Sequence, residues 1–435
     1  MKKNTYHLIT IGCQMNKADS ERVASFLEER AFVLLPNFKE AELVILTTCG
    51  IRQSAEDRVY GLVNQIRKAN SEAVVIITGC LAKRKDVMRR LKRQVDLFMP
   101  INELPNIFEL LKNSHLEKKF DTEEVRLAAG EKYLSIQPKH HSPFTAFVPV
   151  GNGCDNFCSY CVVPYARGRE VYRSSEEVLE EVKKLLADGY KEIFLIAQNV
   201  NSYRDGEKTF PDLLKKILAL PGEFWVRFSS SHPKDLSDEL IALFAEKKMC
   251  PHLHLAMQSG DNEILTRMNR RYTIEHFYEL VKKARVVLPE IAVTTDVIVG
   301  FPGETEEQFA NSAKAFQELE FDLAYVSQYS PRPGTVSSLM EDDISKKEKD
   351  RRDKILVKIL EESGLKKNQK YLGKEVLVLV DGKNKKGKYY GKTASFKNVW
   401  LTAAENIPAD SLVGHFVKTK IIKATDSGLE GELAD

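Results

Sequence analysis

Residues 151–169 read GNGCDNFCSYCVVPYARGR, which puts Cys154, Cys158 and Cys161 on one short loop. Three thiolates at this spacing can hold an iron-sulfur cubane and leave one iron without a protein ligand, because such a cube normally takes four cysteines. That open iron is where chemistry can happen. Two other readings compete. Zinc takes clustered thiolates too, in structural sites of three cysteines and a histidine as readily as four cysteines, and His140 and His141 lie upstream as possible fourth ligands. A disulfide is the third. The seven cysteines are an odd number in a 435-residue chain with no apolar signal segment, which speaks against an oxidised, secreted framework. The spacing favours the cluster, then zinc, then a disulfide.

Around this loop the sequence alternates strand and helix. Short apolar runs at Thr145 to Val150, Glu192 to Ala197, Phe224 to Ser229, His252 to Met257, Ile291 to Val299 and Leu323 to Tyr329 read as strands. Helical segments such as Ser175 to Asp188 and Ile274 to Val287 lie between them. Six such units over ~220 residues predict a partial α/β barrel rather than a short Rossmann sheet. The cysteine loop follows the first strand, at the end where barrel active sites form.

A second alternation precedes the first. Between residues 5 and 99 the strands are Tyr6 to Ile11, Glu42 to Thr47 and Ala73 to Thr78, each short and unbroken as a buried parallel strand should be. Helices follow at about Asp19 to Arg30, Gln53 to Ala69 and Lys83 to Arg93, the first opened by an Asp-Ser pair suited to capping. Cys13, Cys49 and Cys80 each come just after one of these strands. In an open α/β sheet the carboxyl ends of the strands share the rim where ligands bind. One such cysteine would read as a small buried residue; three at equivalent positions point to a second metal centre. Residues from about 100 to 142 lack periodicity and read as a connector, with His140 and His141 solvated.

Residues 346 to 370 form a lysine-rich, helical exit, and the last ~65 residues change character. GKEVLVLVDG, YYGKTASFKNVWLTA and VGHFVKTKIIKAT are short β-rich runs of the kind that build a small antiparallel barrel. Ten lysines lie between Lys366 and Lys397 against Glu375 and Asp381, interleaved with Tyr389, Tyr390 and Phe396 and followed by Trp400. Cations beside aromatic platforms suit single-stranded RNA. The predicted organisation is α/β throughout: a parallel-sheet domain over 1–125, a linker over 126–142, a partial (βα)6 barrel over 143–365 and the small β-barrel over 366–435.

Composition adds limits. A hydrophobic share of 43%, a charged share of 29% and the lack of a long apolar run predict a reduced, cytoplasmic protein. The net charge of +3 implies no nucleic-acid partner by itself. Cys250 stands apart from both trios and reads as packed core. His252 and His254 alternate along a strand and share a face, which favours barrel-interior packing or substrate contact over metal binding.

At Cys154-x3-Cys158-x2-Cys161 the chain resembles the radical S-adenosylmethionine (SAM) superfamily. With GCQMNKADSE, TTCGIRQSAEDRVYG and GCLAKR upstream and a small barrel downstream, it looks like the methylthiotransferases along nearly its whole length. The fragments IAQNVNSY, RFSSSHP, HLHLAMQSG and VGFPGETEEQF are most similar to the MiaB type, which adds a methylthio group to isopentenylated adenosine 37 of tRNA. The resemblance implies that Cys154, Cys158 and Cys161 bind the radical-SAM 4Fe-4S cluster, and Cys13, Cys49 and Cys80 a second 4Fe-4S cluster, also with an open iron. It places Tyr160 near the SAM adenine, further SAM contacts at Gln198, Asn199, Ser231, Gln258, Val299 and Gly300, and Arg270 at the SAM carboxylate. The last segment resembles the RNA-binding TRAM module.

The implied reaction begins with one-electron cleavage of SAM to a 5′-deoxyadenosyl radical. The radical takes hydrogen from C2 of the adenine, and sulfur follows from the N-terminal cluster. Replacing an unactivated C–H bond is beyond acid-base side chains, so the cofactors carry that step. The implied partners are the anticodon stem-loop of tRNA and an external electron donor, with no membrane and a monomeric chain. The same chemistry on threonylcarbamoyladenosine tRNA or on a ribosomal-protein aspartate stays open, as does a non-catalytic iron-sulfur or zinc RNA-binding protein. The chain departs from the family pattern at Gly50, Gln53, Asn152 and Ala256, and at Phe396, which replaces a polar residue in the small barrel.

Overall fold

A computed structural model describes residues 4–113, 132–402 and 412–434. In the N-terminal domain the elements run β1 (Thr5–Thr10), α1 (Gln14–Glu28), β2 (Val33–Leu34), β3 (Leu43–Thr48), α2 (Gln53–Ala69), β4 (Val74–Gly79), α3 (Lys85–Leu91) and β5 (Leu97–Phe98). The strands make one parallel sheet in the order β2-β1-β3-β4-β5. Every residue of β3 and β4 is buried because helices cover both faces. Alternate residues go to opposite cores: Leu43, Ile45, Val74 and Ile76 pack with Phe26 and Leu27, while Val44, Leu46, Val75 and Ile77 pack with Val59, Val63 and Ile66.

Two expectations change here. α1 starts at Gln14 with Cys13 as its N-cap, so Asp19 and Ser20 lie inside the helix, fully buried, instead of opening it. Buried polar groups need partners, and these have them: Asp19 accepts from Arg167, and Ser20 bonds Thr10 and Thr47. The described residues of the expected connector contribute to the core. Ile101, Leu104, Ile107, Phe108 and Leu111, and further on Tyr133 and Ile136, pack with Phe26 and Met99. The expected boundary at 125–126 lies outside the described residues.

The central domain has six parallel strands: β6 (Thr145–Pro149), β7 (Glu192–Ile196), β8 (Trp225–Phe228), β9 (His252–His254), β10 (Ala292–Val299) and β11 (Leu323–Gln328). They pair as β8-β7-β6 and as β9-β10-β11, and the bridges Val226–Met249 and Ser231–Leu255 join the two sets. The result is a half-barrel whose free edges are β6 and β11. The N-terminal domain closes the gap between them. Met15 and Ala18 of α1 pack on Phe147 and Phe194, and Arg52 lies 5.4 Å over the ring of Tyr325 on β11.

After the helix Lys346–Gln369 comes a closed barrel of β12 (Glu375–Lys383), β13 (Tyr389–Thr393), β14 (Asn398–Thr402), β15 (Phe416–Ala424) and β16 (Leu429–Leu433), in the order β12-β13-β14-β16-β15. It is not wholly antiparallel as expected, since β14 and β16 pair in parallel. The barrel is fastened to the central domain by apolar contacts among Phe144, Trp225, Cys250, Leu379 and Phe416. Cys250 is thus packed core, as read. Buried charge adds a second tie. Arg227 on β8 pairs with Glu192 at 3.0 Å and donates to the carbonyls of Ala394 (2.9 Å) and Thr393 (3.4 Å) in the β13–β14 turn. Among the described residues no helix is long and apolar enough to cross a membrane.

Candidate active site

Three strand ends bring the first trio of cysteines together. Cys13 follows β1, Cys49 follows β3 and Cys80 follows β4. Glycine lets these turns touch. Gly12 and Gly79 have φ of +138° and +83°, and a β-carbon on them would stand 2.8 Å from Cβ of Cys49 and 2.5 Å from the carbonyl oxygen of Thr48. That same carbonyl accepts from the Cys80 amide at 2.9 Å and from Asn16 Nδ2 at 3.0 Å. Cys13 also begins a helix, where the free amides and the dipole favour a thiolate.

The second trio sits on the loop after β6. Its shape is held by backbone bonds from Cys154 to Gly168 (3.1 Å) and from Ser159 to Met268 (3.0 Å). Arg270 Nη1 lies 3.5 Å from Cys158 Sγ, and its Nη2 donates to Ala256 O at 2.7 Å. The short helix α4 (Val163–Arg167) follows Cys161 and carries Arg167, whose Nη2 donates to Asp19 Oδ2 at 2.5 Å and Nη1 to Asn152 Oδ1 at 3.0 Å. A salt bridge between two buried side chains therefore ties the second cysteine loop to the helix that starts at the first trio.

Members of both trios face one cavity of about 880 Å³. Cys13, Cys49, Cys154, Cys158 and Cys161 line it, while Cys80 lies just behind, its Cβ within 3.2 Å of the place a β-carbon on Gly50 would take. Tyr160, Gln198, Asn199, Ser231, Gln258 and Arg270 also line the cavity. Val299 and Gly300 do not; β10 contributes Val297 and Ile298 instead. Val299 is turned into the core, and the Gly300 amide is taken by Glu304 at 2.7 Å. Residues that the sequence did not single out for the site are Arg332, which reaches Gln53 Oε1 (2.6 Å) and Glu56 Oε2 (3.3 Å), together with Asp296, Thr294 and Tyr325. Their spacing carries no signal, because they meet only through the closure of the half-barrel. His252 and His254 do share the cavity face: both bond Thr294 Oγ1 at 2.9 Å, and His254 also pairs with Asp296 at 2.9 Å.

The donor set suits clusters. Burial, and then the neighbouring Cys80, push the Cys49 thiol up to about 11, and burial likewise pushes Cys154 up to about 11. Cys13 opens onto the cavity yet lies deep in the protein, and its thiol is raised chiefly by burial, with Arg167 opposing. Cys161 is raised by burial and then by Cys158, with Cys154 and Cys80 adding to it, which brings the two trios within electrostatic reach of each other. So many thiolates are stable together only around cationic centres. All seven cysteines are free, which removes the disulfide reading. Among the described residues no group of three His, Cys, Asp or Glu is gathered for a single metal ion. Ligands of one zinc crowd to about 4 Å of each other, given Zn–S bonds of about 2.3 Å, whereas a cubane's ligands stand at separate corners. The proposed zinc ligand His140 is not solvated but buried against Glu21 at 2.9 Å.

The same cavity offers the polar groups a small zwitterionic ligand needs. Gln198 Oε1, Asn199 Oδ1 and Ser231 Oγ are buried with no hydrogen-bond partner among the described residues. Buried polar atoms are rarely left so, and all three belong to residues of the cavity wall.

On the small barrel the aromatic residues divide. Tyr389 is 3% exposed and belongs to the core, Phe396 faces the cavity, and Tyr390 and Trp400, each 39% exposed, pair across β13 and β14 with centroids 5.8 Å apart. The lysine run is less free than its composition suggests. Lys366, Lys367, Lys370, Lys388, Lys392 and Lys397 each pair with a carboxylate.

Comparison with known proteins agrees with this layout. The Radical SAM superfamily pattern matches residues 148–316, the pattern described as Uncharacterized protein family UPF0004 matches residues 5–100, and the TRAM domain matches residues 369–434. A tRNA-2-methylthio-N(6)-dimethylallyladenosine synthase of Caldicellulosiruptor saccharolyticus is 40% identical, over 99% of this chain and 93% of its own. One of the same name from Carboxydothermus hydrogenoformans is 38% identical, over 100% of both chains. Among solved structures, the radical S-adenosylmethionine methyltransferase TsrM of Kitasatospora setae, with cobalamin and a 4Fe-4S cluster bound, aligns over 80% of this chain and 78% of its own. Its TM-score is 0.57 at 17% identity, a likeness of fold alone. By identity along its full length, the chain belongs to the tRNA-2-methylthio-N(6)-dimethylallyladenosine synthase family of radical SAM enzymes.

Proposed function

We propose that the protein is a tRNA methylthiotransferase that converts N6-dimethylallyl (isopentenyl) adenosine at position 37 to its 2-methylthio derivative. The observation that carries this reading is the cavity shared by Cys13 and Cys49 of one trio and all three cysteines of the other, lined by buried polar atoms that lack partners among the described residues. When bound, 4Fe-4S clusters and SAM supply one-electron cleavage to a carbon radical and a site from which sulfur is passed on, chemistry that no side chain here can perform.

The chain's own residues bind and orient. Cys154, Cys158 and Cys161 would hold one cluster, and Cys13, Cys49 and Cys80 the second. Arg270 presents positive charge beside Cys158, suited to a ligand carboxylate. Gln198, Asn199 and Ser231 offer hydrogen bonds to the ammonium and ribose groups, and Tyr160 offers an aromatic wall. The N-terminal domain excludes water by closing the open side of the half-barrel, which protects a radical from side reactions. An external one-electron donor completes the reaction, and the cytoplasm is where it meets tRNA.

Tyr390 and Trp400 are the platform on which unpaired bases of the anticodon stem-loop would stack. Each replaced by alanine should weaken tRNA binding about ten- to a hundredfold, given about 1–3 kcal/mol per stacked base. Filter binding or anisotropy with the full chain reads this directly. The reaction itself is tested by mass spectrometry of nucleosides from prenylated tRNA incubated with reconstituted protein, SAM and dithionite. The methylthio nucleoside is the expected product; cleavage of SAM with both clusters intact and no such nucleoside would overturn the assignment.

A further inference from the structure

The C-terminal domain reaches the cavity through Phe396. Its backbone is left-handed, with φ of +66°, a conformation that side chains beyond Cβ rarely adopt. The turn is held there by Thr393, which accepts from the Phe396 amide at 3.0 Å, and by the Arg227 guanidinium on the carbonyls of Thr393 and Ala394. The outcome is a phenyl ring laid along His252, centroids 4.9 Å apart and planes 16° from parallel, with Arg227 4.6 Å from the ring centre. Met15, Phe194, Ile196 and Phe396 form one apolar group, and all four line the cavity. Each of the three domains contributes to it.

This apolar floor slopes away from the cysteines: Ile196 closes β7 beside Pro149 and Met15 follows closely on Cys13, whereas Phe194 lies mid-strand and Phe396 stacks on His252 at the start of β9, far along the strands from the loop of Cys154. On a purine the C2–H bond and the N6 substituent leave from different edges. A base that turns C2 toward the cysteines therefore turns its N6 substituent elsewhere, and the floor is the apolar surface available to receive it. We propose that Met15, Phe194, Ile196 and Phe396 receive the dimethylallyl group of the target nucleoside, and that Phe396 fixes the depth of this receptor. The inference rests on the assignment of the preceding subsection and adds to it that the C-terminal domain determines which N6 substituent is accepted.

The test uses full-length, cluster-loaded protein and two synthetic anticodon stem-loops, one with N6-dimethylallyladenosine and one with adenosine at the target position. Phe396→Gly removes the ring without backbone strain, since glycine adopts φ of +66° freely. Wild type is expected to prefer the prenylated stem-loop in fluorescence anisotropy. Phe396→Gly should lose roughly tenfold or more of that preference, the scale set by a changed apolar pocket, with affinity for the adenosine stem-loop unchanged. Phe396→Tyr should retain the preference, and in turnover Phe396→Gly should raise KM for prenylated tRNA. An unaltered preference in Phe396→Gly, or an equal loss of affinity for both stem-loops, would show a structural plug and overturn the proposal. Failure of the assignment itself is distinct: wild type would then make no methylthio nucleoside from prenylated tRNA.

Discussion

Replacing Cys158 with alanine should abolish reductive cleavage of SAM, whereas replacing Cys49 should leave cleavage in place and remove the methylthiolated product. The two outcomes separate because the trios occupy different elements, a loop after β6 and the ends of β1, β3 and β4. Each variant should hold about four irons where wild type is expected to hold about eight. The loss of 5′-deoxyadenosine in Cys158→Ala should amount to several orders of magnitude, since no side chain substitutes for the cofactor's chemistry. Liquid chromatography of 5′-deoxyadenosine beside nucleoside mass spectrometry reads both arms. If Cys49→Ala also lost cleavage, the first trio would be needed for the second to function, and the separation of roles would be wrong.

Asp19→Asn should destabilise the protein by about 3–5 kcal/mol, the range for removing one partner of a buried ion pair. Arg167 would keep its charge, with its side chain 2% exposed and its carboxylate gone. Burial works against that charge in the native protein, and Asp19 together with Cys80 and Tyr133 more than offsets it, so the guanidinium is held well above its ordinary pKa. Tyr133 donates to the same carboxylate, and Arg22, Glu181 and Arg173 continue the buried network between the domains. A fall in chemical-denaturation midpoint together with new proteolytic sensitivity between the domains is the expected result. Arg167→Met combined with Asp19→Leu should recover most of the stability, because an apolar pair can replace a buried ion pair at little cost. An Asp19→Asn variant as stable as wild type would show that the contact between the two cysteine-bearing elements is not held by this pair.

Much of this was legible in the sequence, for definite reasons. β3 and β4 are unbroken runs of branched apolar residues, the signature of strands covered on both faces. Cysteines one step beyond such strands converge because parallel strands end at a common rim. The errors are equally physical. The pair Asp19-Ser20 reads as a helix start because short polar residues usually cap, yet here a distant arginine and two threonines satisfy them inside the helix. Residues 101–113 look aperiodic because they run through a 3-10 turn into a short helix, so no single period describes them, although their apolar side chains are core. The lysine run reads as free positive charge because its partners, Asp322, Glu192, Glu320 and Glu430, are far away in sequence. Val299 and Gly300 differ from Val297 and Ile298 only by where β10 turns away from the cavity, a detail no pattern encodes.

The half-barrel takes its missing wall from a domain synthesised before it and its floor from a turn synthesised after it. Domains fold in order as they leave the ribosome, so the wall is ready early and the floor arrives last. Until Phe396 emerges, Met15, Phe194 and Ile196 stand without the ring that completes their apolar group, and His252 without its stacking partner. Folding of the last domain is thus also the moment at which the chamber receives its full lining.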